Sequence, residues 1–434
     1  MALTAAGGVM ETVPTEFDYF DSKVIQAAIL SEYDRDFNPA NIQPGAPIEI
    51  LVRGASNLYL DLNNSLLQVE CKITKADGTN IAADANVGPV NLTLHSLFSN
   101  IEMDLGKTRI SDSNPLYPYR AFFETLLSYD KNVSETRLLT ENWTRDTLDN
   151  FDSFVVGDAG TNKGFKTRAT RFAGSKAVTL IGRPHLDMFH QEKDIPNNVD
   201  VLLRLIPATN AFVLKRPAGD GAENFKVKIL SVKLWVRTKE LTPSLMLAHE
   251  SMLQQQNIRI PHTKVLMKHV TLPQGVTTVE YDNFFTGVLP DRMLIALIQD
   301  ERMSGVYQLN SFGFGHFDLM NLFLTVNGEC IPRRAYETNF TANNYLREYL
   351  GLLDGIGLDT GNKSLDLTPT DWANSYPFFI FRLNPSGLPT LPKTGAARLS
   401  LKFRAPTTQI LDVLCYAEYS TVLEIDRYRN VLLA

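Results

Sequence analysis

The sequence has little cysteine, and its three cysteines form no recognisable metal or disulfide pattern. Only Cys71, Cys330 and Cys415 occur among 434 residues, and they are too far apart in the chain for the paired spacing of a zinc site. We therefore expect three reduced thiols, two of them within buried strands, and synthesis in a reducing compartment such as the cytoplasm or nucleus.

Long apolar segments are also absent. The first 14 residues contain no basic segment followed by an apolar core, so we expect no secretory signal. No stretch reaches the roughly 18 uncharged apolar residues that a membrane-spanning helix requires. The sequence therefore predicts a protein without a membrane span.

An excess of basic residues is the third feature that the chain lacks. It carries 48 acidic and 42 basic residues, which gives a formal net charge of −6. Surfaces that bind nucleic acid neutralise phosphates with clustered lysine and arginine side chains. The charge balance therefore argues against sequence-specific recognition of nucleic acid.

The composition that remains favours β-structure. Hydrophobic residues make up 44% of the chain, and 24 phenylalanines and 15 tyrosines lie in short runs separated by glycine and proline. Such runs are typical of β-sandwiches, and the length exceeds the size at which a single core usually stops growing. We expect an all-β chain with two to three domains.

One pattern of strand and tight turn occurs twice. Residues 99–110 read SNIEMDLGKTRI, and residues 320–331 read MNLFLTVNGECI. In both, apolar residues alternate with polar ones ahead of a turn containing glycine, which predicts a strand with one buried face followed by a hairpin. The equivalent buried positions are Ile101 and Leu322, Met103 and Leu324, and Leu105 and Val326.

The same elements follow each copy in the same order. A helical pattern covers residues 119–130 and again 344–355, and a long alternating strand closes each half over residues 226–238 and 412–426. This order indicates a tandem duplication of a β-unit with one embedded helix, although two unrelated β-domains remain an alternative. The apolar faces of the two helices are predicted to comprise Tyr119, Phe122, Phe123, Leu126 and Leu127, and Leu346, Tyr349, Leu350 and Leu353.

These landmarks divide the chain into four parts. We expect an N-terminal arm without a strand over residues 1–46, a first unit over 47–242, a helical connector over 243–259, and a second unit with a C-terminal tail over 260–434. The connector is expected to begin after Thr242, with Pro243 at the first helical position.

The arm carries three aromatic residues in an acidic context. Phe17, Tyr19 and Phe20 lie among acidic residues in a segment with no strand pattern. Aromatic side chains on such a segment gain little free energy unless they are buried against a surface. We expect these three to dock either on the body of the same chain or on a neighbouring molecule.

Two motifs could indicate chemistry, and both are weak. Asp359 lies in the Asp-Thr-Gly tripeptide of aspartic proteases, but no second copy of the tripeptide occurs, so catalysis would require a dimer. His185 and His190 are five residues apart near Asp187 and Glu192, a spacing that fits neither the zinc-protease pattern nor the His-x-His pattern of the metal-binding cupins. We predict a non-enzymatic protein with structural histidines, no cofactor and no metal.

Several longer phrases resemble one family of proteins. VGPVNLTLHSLFSNIEMDLG, YPYRAFFETLLSYD, SFGFGHFDLMNLFLTVNGECIP and the closing YAEYSTVLEIDRYRNVLLA are similar to the major capsid proteins of Polinton/Maverick-type elements and of the adintoviruses of animals. The resemblance runs from about residue 15 to residue 430. It implies a double jelly roll, in which two β-sandwiches lie side by side, and this fold agrees with the duplication.

The resemblance also implies a function and partners. Three chains would form a pseudo-hexameric capsomer, and capsomers would tile the icosahedral capsid of a double-stranded DNA virus or virus-like transposon. The partners would be other copies of the chain and penton or minor capsid proteins, and the protein would be located in the virion. A jelly-roll protein that binds carbohydrate or a receptor is an alternative, as is an enzyme on a duplicated β-scaffold using Asp359 or the His185 and His190 pair.

Overall fold

The computed structural model describes residues 26–148, 150–218, 225–358, 365–384 and 393–433. Antiparallel β-sheets are the main secondary structure of these residues, and short helices lie in the connections between strands.

The first half of the chain forms a β-sandwich. One sheet has the strand order β1-β10-β3-β7, the facing sheet has the order β2-β8-β5-β6, and β4 pairs with β9 in a short separate ladder. The strands are β1 (Ile29–Phe37), β2 (Ile48–Val52), β3 (Leu58–Lys75), β4 (Gly88–Pro89), β5 (Phe98–Leu105), β6 (Thr108–Arg109), β7 (Val178–Gly182), β8 (Val201–Pro207), β9 (Leu214–Lys215) and β10 (Phe225–Leu241).

The second half forms another sandwich. Its sheets have the strand orders β11-β18-β13-β16 and β12-β17-β14-β15, and β19 pairs with the end of β18. The strands are β11 (Ile258–Leu272), β12 (Thr278–Val288), β13 (Arg292–Gln299), β14 (Leu319–Val326), β15 (Glu329–Glu337), β16 (Phe379–Arg382), β17 (Thr394–Phe403), β18 (Leu411–Ile425) and β19 (Val431–Leu433).

The two sandwiches have the same topology. Without the β4–β9 ladder and β19, each sandwich has eight strands, and numbering them along the chain gives the sheet orders 1-8-3-6 and 2-7-4-5 in both halves. Two four-stranded sheets with this Greek-key order form a jelly roll. The chain is therefore a double jelly roll, and the predicted all-β duplication is confirmed.

Helices occupy the connections. The longest, α2, follows the β5–β6 hairpin, and α8 follows the equivalent hairpin of the second sandwich. The α-helices are α1 (Thr93–Ser96), α2 (Tyr117–Ser128), α3 (Lys131–Ser134), α4 (Lys163–Phe172), α5 (Asn210–Val213), α6 (Pro243–Leu253), α7 (Asp300–Ser304), α8 (Leu346–Gly355) and α9 (Pro369–Ser375). Short 3₁₀ helices cover Arg137–Glu141, Ala173–Ser175 and Asp187–Phe189.

The repeated strand-and-turn pattern occupies equivalent places. β5 turns into β6 through Gly106, and β14 turns into β15 through Asn327 and Gly328, whose φ angles of 50° and 87° suit a type I′ hairpin turn. Of the six paired positions, five are buried and Val326 is half-buried. The alternation therefore identified the core-facing sides of both strands.

The strand β1 corrects the predicted N-terminal arm. The sequence led us to expect no strand over residues 1–46, but β1 pairs with β10 along its length, from Ile29 opposite Leu241 to Phe37 opposite Leu234. The strand was missed because β1 is an edge strand with mostly polar, partly exposed side chains and lacks the apolar alternation of a half-buried strand. We therefore propose that the first sandwich begins at β1, and the other domain boundaries stay a prediction.

The connector and the cysteines agree with the sequence analysis. The helix predicted after Thr242 is α6, and it joins the last strand of the first sandwich to the first strand of the second. Cys71 and Cys415 are buried thiols, Cys330 is half-buried, and burial raises the pKa of Cys71 to about 12. None of the helices in the described ranges combines the length and apolarity required to cross a bilayer.

The pairing of β1 predicts different outcomes for two N-terminal deletions. Deleting residues 1–40 removes the edge strand that pairs with β10 and should lower the melting temperature by at least about 5 °C. Deleting residues 1–25 removes no described element and keeps β1, so it serves as the matched control and should melt at a higher temperature than the longer deletion. Differential scanning calorimetry measures both, and equal melting temperatures for the two deletions would contradict the assignment of β1.

Candidate functional site: the junction between the two sandwiches

The apolar face of α2 packs against the second sandwich. The ring of Phe122 stacks on that of Phe312 with centroids 4.5 Å apart, and Phe123 meets Phe378 edge to face at 5.0 Å. Pro118 in the first turn favours the start of this helix, and its apolar residues recur at helical spacing. Each such aromatic pair contributes about 0.5–1.5 kcal/mol beyond the burial of its area.

A polar cluster lies beside these aromatic rings and also spans the junction. Arg120 Nη2 lies 2.8 Å from Asp187 Oδ1, and Arg120 Nε donates to Glu124 Oε1 at 2.8 Å. The second sandwich contributes two donors, since the hydroxyl of Tyr416 donates to Glu124 at 3.3 Å and the backbone N–H of Val265 donates to Asp187 at 3.2 Å. These contacts hold the two sandwiches in one position relative to each other.

The charge state of Glu124 follows from its neighbours. Burial alone would raise the pKa of this carboxyl group, but the charge of Arg120 and the hydrogen bond from His185 outweigh it and hold the pKa well below its usual range. Glu124 is therefore ionised in the folded protein at neutral pH.

The two histidines singled out from the sequence both lie near Glu124. His185 Nδ1 is 2.6 Å from Glu124 Oε2, whereas His190 Nε2 is 3.9 Å from the same oxygen and about a third of its side chain is exposed. His185 is buried and forms a short hydrogen bond with the carboxylate of Glu124. The proposed structural role of the pair stays a prediction.

Two further residues join His185 on its other side. His95 from α1 is fully buried, and its ring lies edge to face with that of His185 at 4.6 Å between centroids. Glu141 ends a 3₁₀ helix, and its Oε2 lies 3.4 Å from His95 Nε2. Burial lowers the pKa of His95. His95, Glu141 and His185 each offer a ligand atom within 4.8 Å of the others.

Sequence reasoning missed His95, Glu141 and Glu124. More than 40 residues separate His95 from Glu141, and Glu141 from His185, so no local spacing could connect them. The only signal was indirect, because His95 interrupts an otherwise apolar run and a polar residue there requires a buried partner.

The C-terminal end of the chain makes a second set of contacts between the sandwiches. Arg429 donates to Asn197 Oδ1 at 2.7 Å and also binds the carboxylate of Glu250 on α6. The hydroxyl of Thr108 in the first hairpin donates to the backbone carbonyl of Val431 at 2.9 Å. The strand β19 is thereby attached to the first sandwich as well as to β18.

The outer face of α8 is apolar and uncovered, which corrects the predicted packing of this helix. Leu346 and Leu350 were expected in its buried face but are 56% and 60% exposed, while Leu352 and Gly355 are buried. Gly355 allows α8 to lie close to β16, because a Cβ at this position would collide with the side chain of Ile380. The helix therefore turns its glycine side toward its own sheet and two leucines outward.

The remaining candidate residues lie outside the described residues. They are Phe17, Tyr19 and Phe20 of the N-terminal segment and Asp359 of the Asp-Thr-Gly tripeptide. The expected docking of the three aromatic side chains stays a prediction from the sequence.

Comparison with known proteins relates the chain to one curated sequence and several solved structures. No protein-family model matches it. The uncharacterized protein F54H12.2 of Caenorhabditis elegans is 23% identical over 403 residues, which cover 89% of this chain and 93% of that protein.

The structural similarities extend along the whole chain. A chain of the Sputnik virophage matches with a TM-score of 0.62 at 11% identity, covering 100% of this chain and 94% of its own. The mavirus major capsid protein matches with a TM-score of 0.54 at 12% identity, with coverages of 99% and 96%, and the Faustovirus major capsid protein with 0.54 at 8% identity, with coverages of 95% and 93%. The double jelly-roll fold is thus shared with these structures over nearly their full lengths.

The ionised state of Glu124 predicts a pH-dependent loss of stability on substitution. Glu124→Gln should lower the free energy of unfolding at pH 7 by roughly 3 kcal/mol, because it removes one of the two carboxylates that pair with the buried Arg120 and the charged partner of His185. The folded-state pKa is depressed, so this contribution is fully present above the unfolded value of about 4.3 and decreases progressively as the pH falls from there toward the folded-state pKa.

Urea unfolding at pH 7 and at pH 3 measures this effect. The matched control is Glu424→Gln, which breaks a surface pair with Arg259 and should destabilise the protein far less than Glu124→Gln does. A difference between wild type and Glu124→Gln that is as large at pH 3 as at pH 7 would contradict the assigned charge state.

Proposed function

We propose that this protein is a major capsid protein that forms the shell of an icosahedral double-stranded DNA virus or a virus-like transposon. The observation that carries this proposal is the pair of topologically identical jelly rolls, similar over nearly the whole chain to the mavirus and Faustovirus major capsid proteins. The sequence resemblance to Polinton/Maverick and adintovirus capsid proteins supports the same role. The role is structural and requires no catalytic residue.

The capsomer is proposed to be a homotrimer. A chain with two equivalent sandwiches, repeated around a three-fold axis, gives six similar units and therefore fits hexagonal positions in a shell. A dimer of the same chain would give four units and could not fill those positions.

The exposed face of α8 supports this arrangement and suggests one contact within the trimer. The equivalent helix of the first sandwich, α2, has its apolar face covered by Phe312 and Phe378 of the second sandwich. In a ring of alternating first and second sandwiches, the next unit beside the second sandwich is the first sandwich of a neighbouring chain. We propose that this neighbouring chain covers Leu346 and Leu350.

Further partners and location follow from the same proposal. Neighbouring capsomers and penton or minor capsid proteins would contact the trimer, and the assembled protein would be part of the virion. The net charge of −6 suits a shell that encloses DNA without binding it through a basic surface.

The proposed capsomer predicts the mass of the purified protein. Light scattering should give three times the chain mass of 48.6 kDa at micromolar concentration, and electron microscopy of the expressed protein should show hexagonal capsomers or closed shells. A strict monomer or dimer that forms no particles would overturn the proposal.

The proposed contact at α8 predicts how a pair of substitutions affects assembly. Leu346→Glu combined with Leu350→Glu should convert the trimer to monomer, because two charges would be buried at the interface, and the fold should persist since both positions are exposed in the isolated chain. Leu139→Glu is the matched control, because Leu139 is 40% exposed and belongs to the 3₁₀ helix Arg137–Glu141 of the first sandwich rather than to α8. Analytical ultracentrifugation measures the result, and a double variant that remains trimeric would exclude α8 from the interface.

A further inference from the structure

Two buried polar atoms of the first sandwich face each other at a separation longer than that of a well-formed hydrogen bond. His95 Nε2 and Glu141 Oε2 are inaccessible to solvent, lie 3.4 Å apart, and have no hydrogen-bond partner with acceptable geometry. Buried polar groups are almost always satisfied, so such a pair requires an explanation. Two ligands of a tetrahedral zinc ion, bound at about 2.0–2.1 Å each, are separated by about 3.3 Å. The observed separation matches that value.

A third candidate ligand, His185, offers a ligand atom within 4.8 Å of the other two, and its second ring nitrogen is held by a carboxylate. His185 Nδ1 is bound to Glu124 Oε2 at 2.6 Å, which leaves Nε2 as the nitrogen available to a metal. Histidines that ligate metals commonly donate their second N–H to a carboxylate in this way. His95 is held similarly, because its Nδ1 lies 2.8 Å from the hydroxyl of Tyr117.

The space around Glu141 and the local charge also suit a cation. Gly182 on β7 leaves room for the carboxylate, since a Cβ at this position would collide with Glu141. Glu124, Glu141 and Asp187 are largely buried. Arg120 pairs with Glu124 and Asp187, whereas the close partner of Glu141 is His95, and Arg137 and Arg183 act on this carboxylate from a longer distance. Burying a carboxylate whose close partner is a neutral histidine is costly, and a divalent cation would balance its charge.

We propose that His95 Nε2, His185 Nε2 and Glu141 Oε2 bind a structural zinc ion. The ion would join α1, the 3₁₀ helix Arg137–Glu141 and the segment after β7, three parts of the first sandwich that are far apart in sequence. This site changes the assessment of His185, because His185 and His190 alone have no metal-ligand spacing, whereas His95 and Glu141 complete a two-histidine, one-carboxylate set. The hydroxyl of Thr125, 3.5 Å from His185 Nε2, is a further polar group beside the site.

The test measures metal in the intact protein. The full-length chain is produced in medium supplemented with zinc, purified without chelators, and examined by native mass spectrometry and elemental analysis. We expect one zinc per chain. Because the site is buried, the ion is acquired during folding, so refolding with Co²⁺ in place of zinc should give the visible absorption of tetrahedral cobalt. A wild-type chain that carries no zinc, and that refolds to the same melting temperature with and without zinc, would overturn the proposal.

Two variants locate the ion. Glu141→Gln keeps the shape of the side chain but removes the charged ligand, and should reduce zinc content at least tenfold. His190→Gln is the control, because His190 lies beside Glu124 but outside the proposed set, and it should retain a full equivalent of zinc. The opposite result, with zinc lost from His190→Gln and kept in Glu141→Gln, would overturn the assignment. If Glu141→Gln does not fold, the metal content and cobalt spectrum of the wild type still decide the proposal.

Discussion

The arrangement of the two jelly rolls depends on burying the apolar face of α2. An eight-stranded sandwich buries the inner faces of its two sheets, but the aromatic side chains of α2, the helix after its first hairpin, also need a cover from outside the unit. In this chain the second sandwich supplies the cover through Phe312, Phe314 and Phe378. Aromatic rings pack with specific angles and distances, so this contact sets both the distance and the rotation between the two units.

Polar groups at the same junction add specificity rather than large net stability. Arg120 binds Glu124 and Asp187 in a largely desolvated position, where the cost of removing charges from water offsets much of their attraction. Tyr416 and Val265 satisfy these carboxylates only when the second sandwich lies in one position. A displaced arrangement would leave buried charges without partners, so the cluster penalises alternatives to the observed one.

Much of the fold could be predicted from the sequence because the signals of strands and turns are local. Alternation before a glycine turn is a property of ten neighbouring residues, and it identified β5 and β14 correctly. β1 was missed because an edge strand with polar side chains has no such alternation. The packing of α8 was misjudged because two apolar faces were possible, and the close approach at Gly355 decided between them. At the junction, His185 was recognised as unusual, but His95 and Glu141 come from separate segments, and only the folded chain brings them together.

The pairing of each first strand with its last strand has a consequence for synthesis on the ribosome. β10 completes the first sandwich by pairing with β1 and β3, so this unit can close before the second has been made. At that moment α2 still lacks its cover, because Phe378 follows the end of β10 by roughly 140 residues. At ~5–20 residues per second, the nascent chain exposes this aromatic face for on the order of ten seconds. During that interval the chain is most vulnerable to aggregation, and a chaperone that binds aromatic surface would have its target there.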